Sequence, residues 1–217
     1  MIAIIIPTLN AALTLPGTLA SCAGAPVVVI DGGSTDGTQA LALRHGAQLL
    51  LAPRGRGPQL VAGARATSAD WLLFLHADTR LAPGWQAVAA AHMAAEPDRA
   101  GYFSFALDDA SPRARRLEHR VAWRCRTLAL PYGDQGLLIS RALYDAVGGF
   151  QPMPLMEDVD LVRRLGRARL RALPAAALTS AEKWQRHGWR RRSARNLCCL
   201  MLWRLGVPVR LIARIYA

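Results

Sequence analysis

Val27-Val28-Val29-Ile30-Asp31-Gly32-Gly33-Ser34-Thr35-Asp36-Gly37-Thr38 is the stretch whose reading decides the fold. Four β-branched residues make a short strand that is apolar on both faces, as in a parallel sheet covered by helices. The strand ends in acids, hydroxyls and glycines, and from Thr38 to His45 the pattern turns helical. The glycines allow tight backbone turns, and Ser34, Thr35 or Asp36 can cap the helix that follows. Working outward, Ile2 to Ile6, Gln48 to Leu51 and Trp71 to Leu75 read as further strands, while Ala11 to Ala23 and Pro58 to Thr67 read as helices between them. Pro83 to Ala95 reads as a fourth helix and Tyr102 to Leu107 as the next strand. This is the rhythm of βαβ units: an α/β fold with a mostly parallel central sheet flanked by helices.

In an open parallel sheet the carboxyl ends of the strands share one edge, and ligands bind in the crevice outside it. Here that edge collects Pro7-Thr8-Leu9-Asn10, Asp31 to Thr38, Pro53-Arg54-Gly55-Arg56-Gly57 and His76-Ala77-Asp78-Thr79. A carboxylate such as Asp31 suits the N–H edge of a base or a ribose hydroxyl. Asp78 with neighbouring His76 can hold one divalent ion incompletely, leaving positions for diphosphate oxygens. A Gly-x-Gly-x-x-Gly motif and a Walker loop are both missing, which counts against dehydrogenase and P-loop readings.

The second half is less regular. A basic helix spans about Arg113 to Leu130, a Gly133-Asp134-Gln135-Gly136 turn precedes the strand Leu137 to Ser140, and a helix covers Arg141 to Val147. Glu157-Asp158-Val159-Asp160 then opens another helix, where acids complement the macrodipole and where a carboxylate can also serve as a general base.

The 217 residues carry a formal charge of +12, unevenly spread: residues 1–110 are net −2 and residues 111–217 net +14. Of the 27 cations 26 are arginine, and Lys183 is the only lysine. From Lys183 to Arg195 six cations are interleaved with Trp184 and Trp189, followed by apolar Leu197 to Trp203. Two readings of this segment stand side by side: a helix lying in an anionic membrane surface, and a helix packed on the core with a solvated arginine face. Pro208 interrupts any long helix there. Cys22, Cys125, Cys198 and Cys199 form no Cys-x-x-Cys pair, Met1 to Pro7 lacks a basic leader, and no apolar stretch reaches ~18 residues. The expectation is therefore a cytoplasmic protein, with a peripheral seat on the cytoplasmic face of the membrane as its elaboration.

Ile-Ile-Pro-Thr-Leu-Asn, Val-Val-Ile-Asp-Gly-Gly-Ser-Thr-Asp-Gly-Thr, Phe-Leu-His-Ala-Asp-Thr and Val-Gly-Gly-Phe-(x)6-Glu-Asp-Val-Asp-Leu occur in this order. The ordered set, covering about residues 1 to 175, resembles a family 2 glycosyltransferase with the GT-A fold. Within that family it looks similar to the small stand-alone members labelled arsenosugar-biosynthesis-type. The resemblance implies a Rossmann-like nucleotide half at 1–110 and an acceptor half at 111–181, followed by the basic helical segment 182–217. It further implies inverting transfer of a sugar from a nucleotide-diphosphate sugar to a small-molecule or lipid-linked hydroxyl acceptor. By the same carry-over Pro7, Thr8 and Asn10 border the nucleotide, Asp31 takes the base with Ser34 in the same donor-binding set, and Arg56 or Arg54 lies near base or phosphates. Asp78, with Ala77 and His76 in its motif, would coordinate Mg2+ or Mn2+. Asp158 would deprotonate the acceptor with Glu157 in support, and Gly133, Asp134, Gln135 and Gly136 would shape the sugar pocket.

The chain departs from the family pattern in three places. His76-Ala77-Asp78 replaces Asp-x-Asp, so His76 substitutes as a ligand or one carboxylate suffices, with His187 as a late candidate ligand. Asp31-Gly32-Gly33-Ser34 replaces Asp-Asp-Gly-Ser. The Gln-x-x-Arg-Trp element of processive synthases is missing, which implies one sugar per acceptor. Rival readings are a basic nucleic-acid-binding protein, which lacks a recognisable motif and leaves the strand ends unexplained, and two enzymes on related sheets. A dehalogenase-like phosphatase needs a nucleophilic aspartate where His76 stands, and a nucleotidyltransferase needs a glycine-rich N-terminal loop.

Overall fold

The computed structural model describes residues 1–216. Its sheet contains β1 (Ile2–Thr8), β2 (Val27–Asp31), β3 (Gln48–Leu51), β4 (Trp71–Phe74), β5 (Thr79–Leu81), β6 (Ala100–Leu107), β7 (Leu137–Ser140) and β8 (Leu170–Thr179). They lie in the order β3-β2-β1-β4-β7-β6-β8-β5. The block β3-β2-β1-β4 is parallel throughout, as is β6 with β8, while β7 runs antiparallel to β4 and β6, and β5 antiparallel to β8. The chain winds outward from β1 to β3 and then returns to the other side of β1. The crevice where it reverses lies between the ends of β1 and β4, the position at which open α/β sheets bind ligands.

β1 is apolar without alternation because both of its faces are covered. Ile4 and Ile6 pack with Leu15, Val29, Leu73, Trp85 and Phe103, while Ile5 packs on the opposite face with Val28, Ile30, Leu60 and Leu72. The covering helices are α1 (Leu15–Ser21), α2 (Thr38–Arg44), α3 (Arg56–Arg65), α4 (Trp85–Ala95), α5 (Pro112–Leu128), α6 (Arg141–Ala146) and α7 (Glu157–Leu165). The C-terminal segment forms α8 (Glu182–His187), α9 (Trp189–Arg204) and α10 (Val209–Tyr216), interrupted before Pro208 as expected. Cys199, Leu200 and Ile212 are buried against Leu155, Met156, Val159 and Val162, and Trp184 against Val121 and Cys125. Among the described residues no helix is long and apolar enough to cross a membrane.

Two strands escape the sequence reading, and one helix begins later than its pattern indicates. The Ala11 and Ala12 N–H groups are taken by Thr38 Oγ1 at 2.8 Å and Asp36 Oδ2 at 3.0 Å, so residues 11–14 form a turn and α1 starts at Leu15. β8 is rich in alanine and contains Pro174, a composition that argues against a strand. The register against β6 shifts between Phe103 and Ser104, whose partners are Leu173 and Ala176, so Pro174 sits in the irregularity and no ladder donor is lost.

Candidate active site

The ends of β1 and β2 are tied into one rigid rim. Thr8 donates to Asp31 Oδ2 at 2.9 Å, Asn10 N donates to Ser34 Oγ at 2.8 Å, and Thr35 N donates to Asn10 Oδ1 at 2.9 Å. Asn10 holds a left-handed backbone conformation, φ +49°, which asparagine tolerates better than most residues. Gln59, buried on α3 and not anticipated from the sequence, donates to both Thr8 O and Ile30 O at 2.7 Å.

Asp31 is the keystone of this rim, its carboxylate engaged by donors of the chain itself. Its side chain is wholly buried. Oδ1 accepts from Gly33 N, Ser34 N and Gln39 Nε2, and Oδ2 from Thr8 and Ser34 hydroxyls. Burial pushes its carboxyl up, but these donors outweigh burial and hold it below the usual range. Pro7 and Thr8 are buried as well but still line the open cleft, together with Leu9, Asn10, Asp36 and Arg54.

The cleft continues into an inner chamber lined by Arg56, His76, Asp78, Tyr132, Asp134 and Asp158, with residues of the C-terminal helices closing it. Met156 precedes α7 with φ +66°, a strained conformation for a methionine, and it aims Glu157 and Asp158 inward from the first helical turn. Asp158 Oδ2 accepts from Gly133 N at 2.8 Å and Oδ1 from Val159 N at 2.8 Å. A Cβ at position 133 would lie 2.5 Å from His76 Nε2, so any larger residue there displaces the imidazole. Gln135 is spent on structure, donating to Phe103 O and accepting from Tyr132 N, while Gly136 packs on Phe103 at φ +64°. Asp134 Oδ1 is buried without a hydrogen-bond partner, and burial pushes its carboxyl up to about 6.

Glu157 is 1% exposed and lies 2.9 Å from Arg56 Nε, a side chain that is 34% exposed. The approach is not aligned for a hydrogen bond, so the attraction is electrostatic and both Glu157 oxygens lack a donor. Burial outweighs the pull of Arg56 and raises Glu157 to about 7. Burial also lowers Arg56, but Glu157 and Asp158 outweigh it and keep the guanidinium charged. His76 is pushed down to about 4 by burial and then by Arg56, so it is a neutral imidazole at pH 7.

The expected ion site is not assembled by the chain alone. His76 Nε2 packs on Gly133, and Asp78 Oδ2 is held 2.6 Å from Lys183 Nζ. Burial raises the Asp78 carboxyl, but Lys183 outweighs it and holds the group below the usual range. Among the described residues no group of three or more His, Cys, Asp or Glu side chains converges as ion ligands. The residues present therefore do not fit a divalent ion as they stand. Ala77 serves the backbone, its carbonyl accepting from Thr18 at 3.0 Å, and His187 stands exposed on the wall of the open cleft.

Comparison with known proteins decides the class. The profile described as "Glycosyl transferase family 2" matches residues 3–153, more than two thirds of the chain. The chain is a family 2 glycosyltransferase. Uncharacterized glycosyltransferases of Mycobacterium tuberculosis and Mycobacterium bovis are each 36% identical to it over 85 residues, 38% of this chain and 39% of theirs. The match thus spans about two fifths of these relatives. A mannosyltransferase from Pyrobaculum calidifontis, solved with GDP-Man and Mn2+, superposes with TM-score 0.66 at 23% identity over 90% of this glycosyltransferase and 61% of that chain. Glucosyl-3-phosphoglycerate synthase from M. tuberculosis, solved with Mn2+, UDP and glucosyl-3-phosphoglycerate, gives TM-score 0.60 at 18% identity over 96% and 81%. At such identities the likeness shows the fold, GT-A.

Proposed function

We propose that this glycosyltransferase moves one sugar from a nucleoside-diphosphate sugar to a hydroxyl acceptor with inversion at the anomeric carbon. The observation that carries the reading is that Asp158, Asp134 and Arg56 surround one chamber that opens onto the rim formed by Pro7 to Asn10 and Asp31 to Ser34. The rim seats the nucleoside. Asp31 and Ser34 act by fixing its shape, and Asn10 and Arg54 contact it. The unpartnered Asp134 Oδ1 is an acceptor for a sugar hydroxyl.

Asp158 takes the acceptor proton as the acceptor oxygen bonds to the anomeric carbon and the bond from that carbon to the diphosphate oxygen breaks. Attack and departure on opposite faces invert the centre, the opposed logic of inverting glycosidases with an acceptor hydroxyl in place of water. The two backbone donors on Asp158 orient it, and Arg56, anchored by Glu157, supplies positive charge to the chamber. Mn2+ accompanies the nucleotides in the relatives' structures. Mg2+ would serve the same charge-neutralising chemistry, and no step here is routed through either ion.

The acceptor, small or lipid-linked, enters from the C-terminal side. Leu197 and Met201 on α9 and Leu205 just past its end recur every fourth residue and are 57%, 58% and 80% exposed, and Leu211 and Ile215 are half exposed on α10. A groove between α5 and the start of α9 is lined by Arg113, Arg116, Arg120, Arg190 and Arg191 with no acid. This combination suits a peripheral seat on an anionic membrane. A thermal-shift screen of UDP-, GDP- and dTDP-sugars tests the donor assignment: one nucleotide series raises the melting temperature, whereas no shift with any of them refutes it.

A further inference from the structure

We propose that Lys183 is a built-in counter-cation for the leaving diphosphate, and that Asp78 is the residue that positions it. The inference rests on the donor reading above and adds to it the group that neutralises the departing charge.

Three observations converge on this lysine. Its ammonium sits 2.6 Å from Asp78 Oδ2, on the carboxylate that a divalent ion would otherwise need. The placement is built in by the backbone: β5 pairs with β8, the Thr79 and Thr179 hydroxyls meet at 3.0 Å, and Ser180 N donates to Asp78 O at 3.0 Å. Lys183 therefore arrives one turn beyond a strand end locked to the strand that follows Asp78. Finally, the side chain is 60% exposed and lines both the inner chamber and the open cleft, between the rim that seats the nucleoside and the chamber that holds Asp158.

The residue type fits the task. In a chain that uses arginine at 26 of 27 cationic positions, the one exception stands at the carboxylate of the expected ion site. An ammonium is a compact point charge with three donors, closer to a metal ion than a planar guanidinium is. One donor is engaged by Asp78, and two remain for diphosphate oxygens. Arg186 and Arg192 line the same open cleft and add positive field around it. As the bond to the anomeric carbon breaks, the extra negative charge appears on a diphosphate oxygen, and Lys183 meets it with hydrogen bonds and no covalent change.

Calorimetric titration of the full chain with UDP, GDP, dTDP and the corresponding monophosphates, in EDTA and in Mn2+, tests this. The wild type should bind its preferred diphosphate in EDTA within about threefold of its affinity in Mn2+. Lys183→Met should weaken that diphosphate by about 10- to 100-fold, the scale of charge-assisted hydrogen bonds, while moving the monophosphate by less than about twofold. Lys183→Arg should recover part of the loss, and unchanged circular dichroism will show that the variants fold. A wild-type diphosphate site that empties in EDTA, or mono- and diphosphate affinities that fall together in Lys183→Met, overturns the inference. If no nucleotide binds in either condition, the donor reading itself fails and this inference with it.

Discussion

Replacing Glu157 with glutamine should flatten part of the pH dependence of stability. Glu157 is 1% exposed, and its carboxyl is raised from 4.5 to about 7. Between those values the folded chain holds a proton that the unfolded chain has released, so stability falls as pH rises through this window and levels off above it. At 1.36 kcal/mol per pKa unit, the loss between pH 4 and pH 8 is about 3 kcal/mol. Two neighbours titrate nearby and must be separated from it. Asp134, raised to about 6, acts in the same direction, whereas His76, lowered to about 4, makes stability rise between about pH 4 and 6.5. The informative quantity is therefore the difference between wild type and Glu157→Gln at each pH. For a chain of this length ~1 kcal/mol moves the melting temperature by ~2–4 °C, so the two melting curves should separate by roughly 6–12 °C more at pH 8 than at pH 4. Circular-dichroism melts across that range are sufficient. Parallel curves would refute the reasoning, because they would mean that the Arg56 pairing already offsets the burial of Glu157.

Two further outcomes follow from packing and charge. Gly57→Ala places a Cβ 2.4 Å from Met153 O and 2.6 Å from Gln151 O, so α3 must shift from the loop before α7; a loss of about 1–3 kcal/mol in denaturant unfolding is expected. Full-length chain should co-sediment with phosphatidylglycerol-rich vesicles and not with phosphatidylcholine, and reversing Arg190 and Arg191 to glutamate should reduce the bound fraction several-fold. Equal sedimentation with both lipids would remove the membrane seat.

The parallel half of the fold is legible in the sequence because its strands are β-branched runs bounded by turn residues, as in Val27 to Gly37. The crevice follows from which strand ends carry polar residues. β8 is not legible, since alanines and Pro174 deny it a strand signature and only its pairing with β6 and β5 makes it one. That omission hides Lys183: 105 residues separate it from Asp78, and β8 is the element that brings them together. Asp31 shows a different limit. Its residue type and place at a strand end are visible, but the five donors that consume it come from turn backbone and side chains at positions 8, 33, 34 and 39. Asp158 is the opposite case, since an acid in the first turn of a helix is expected to point its carboxylate toward free N–H groups, and Val159 N supplies one.

The central claim is that the rim binds the donor and Asp158 activates the acceptor, two tasks held by separate residues. Release of nucleoside diphosphate from the donor sugar that stabilises the chain, followed with wild type and Asp158→Asn alongside donor affinity, tests it most directly. In Asp158→Asn, donor affinity should stay within about twofold of wild type and turnover should fall by about 10²- to 10⁴-fold, the usual contribution of a general base. Undiminished turnover in Asp158→Asn would contradict it.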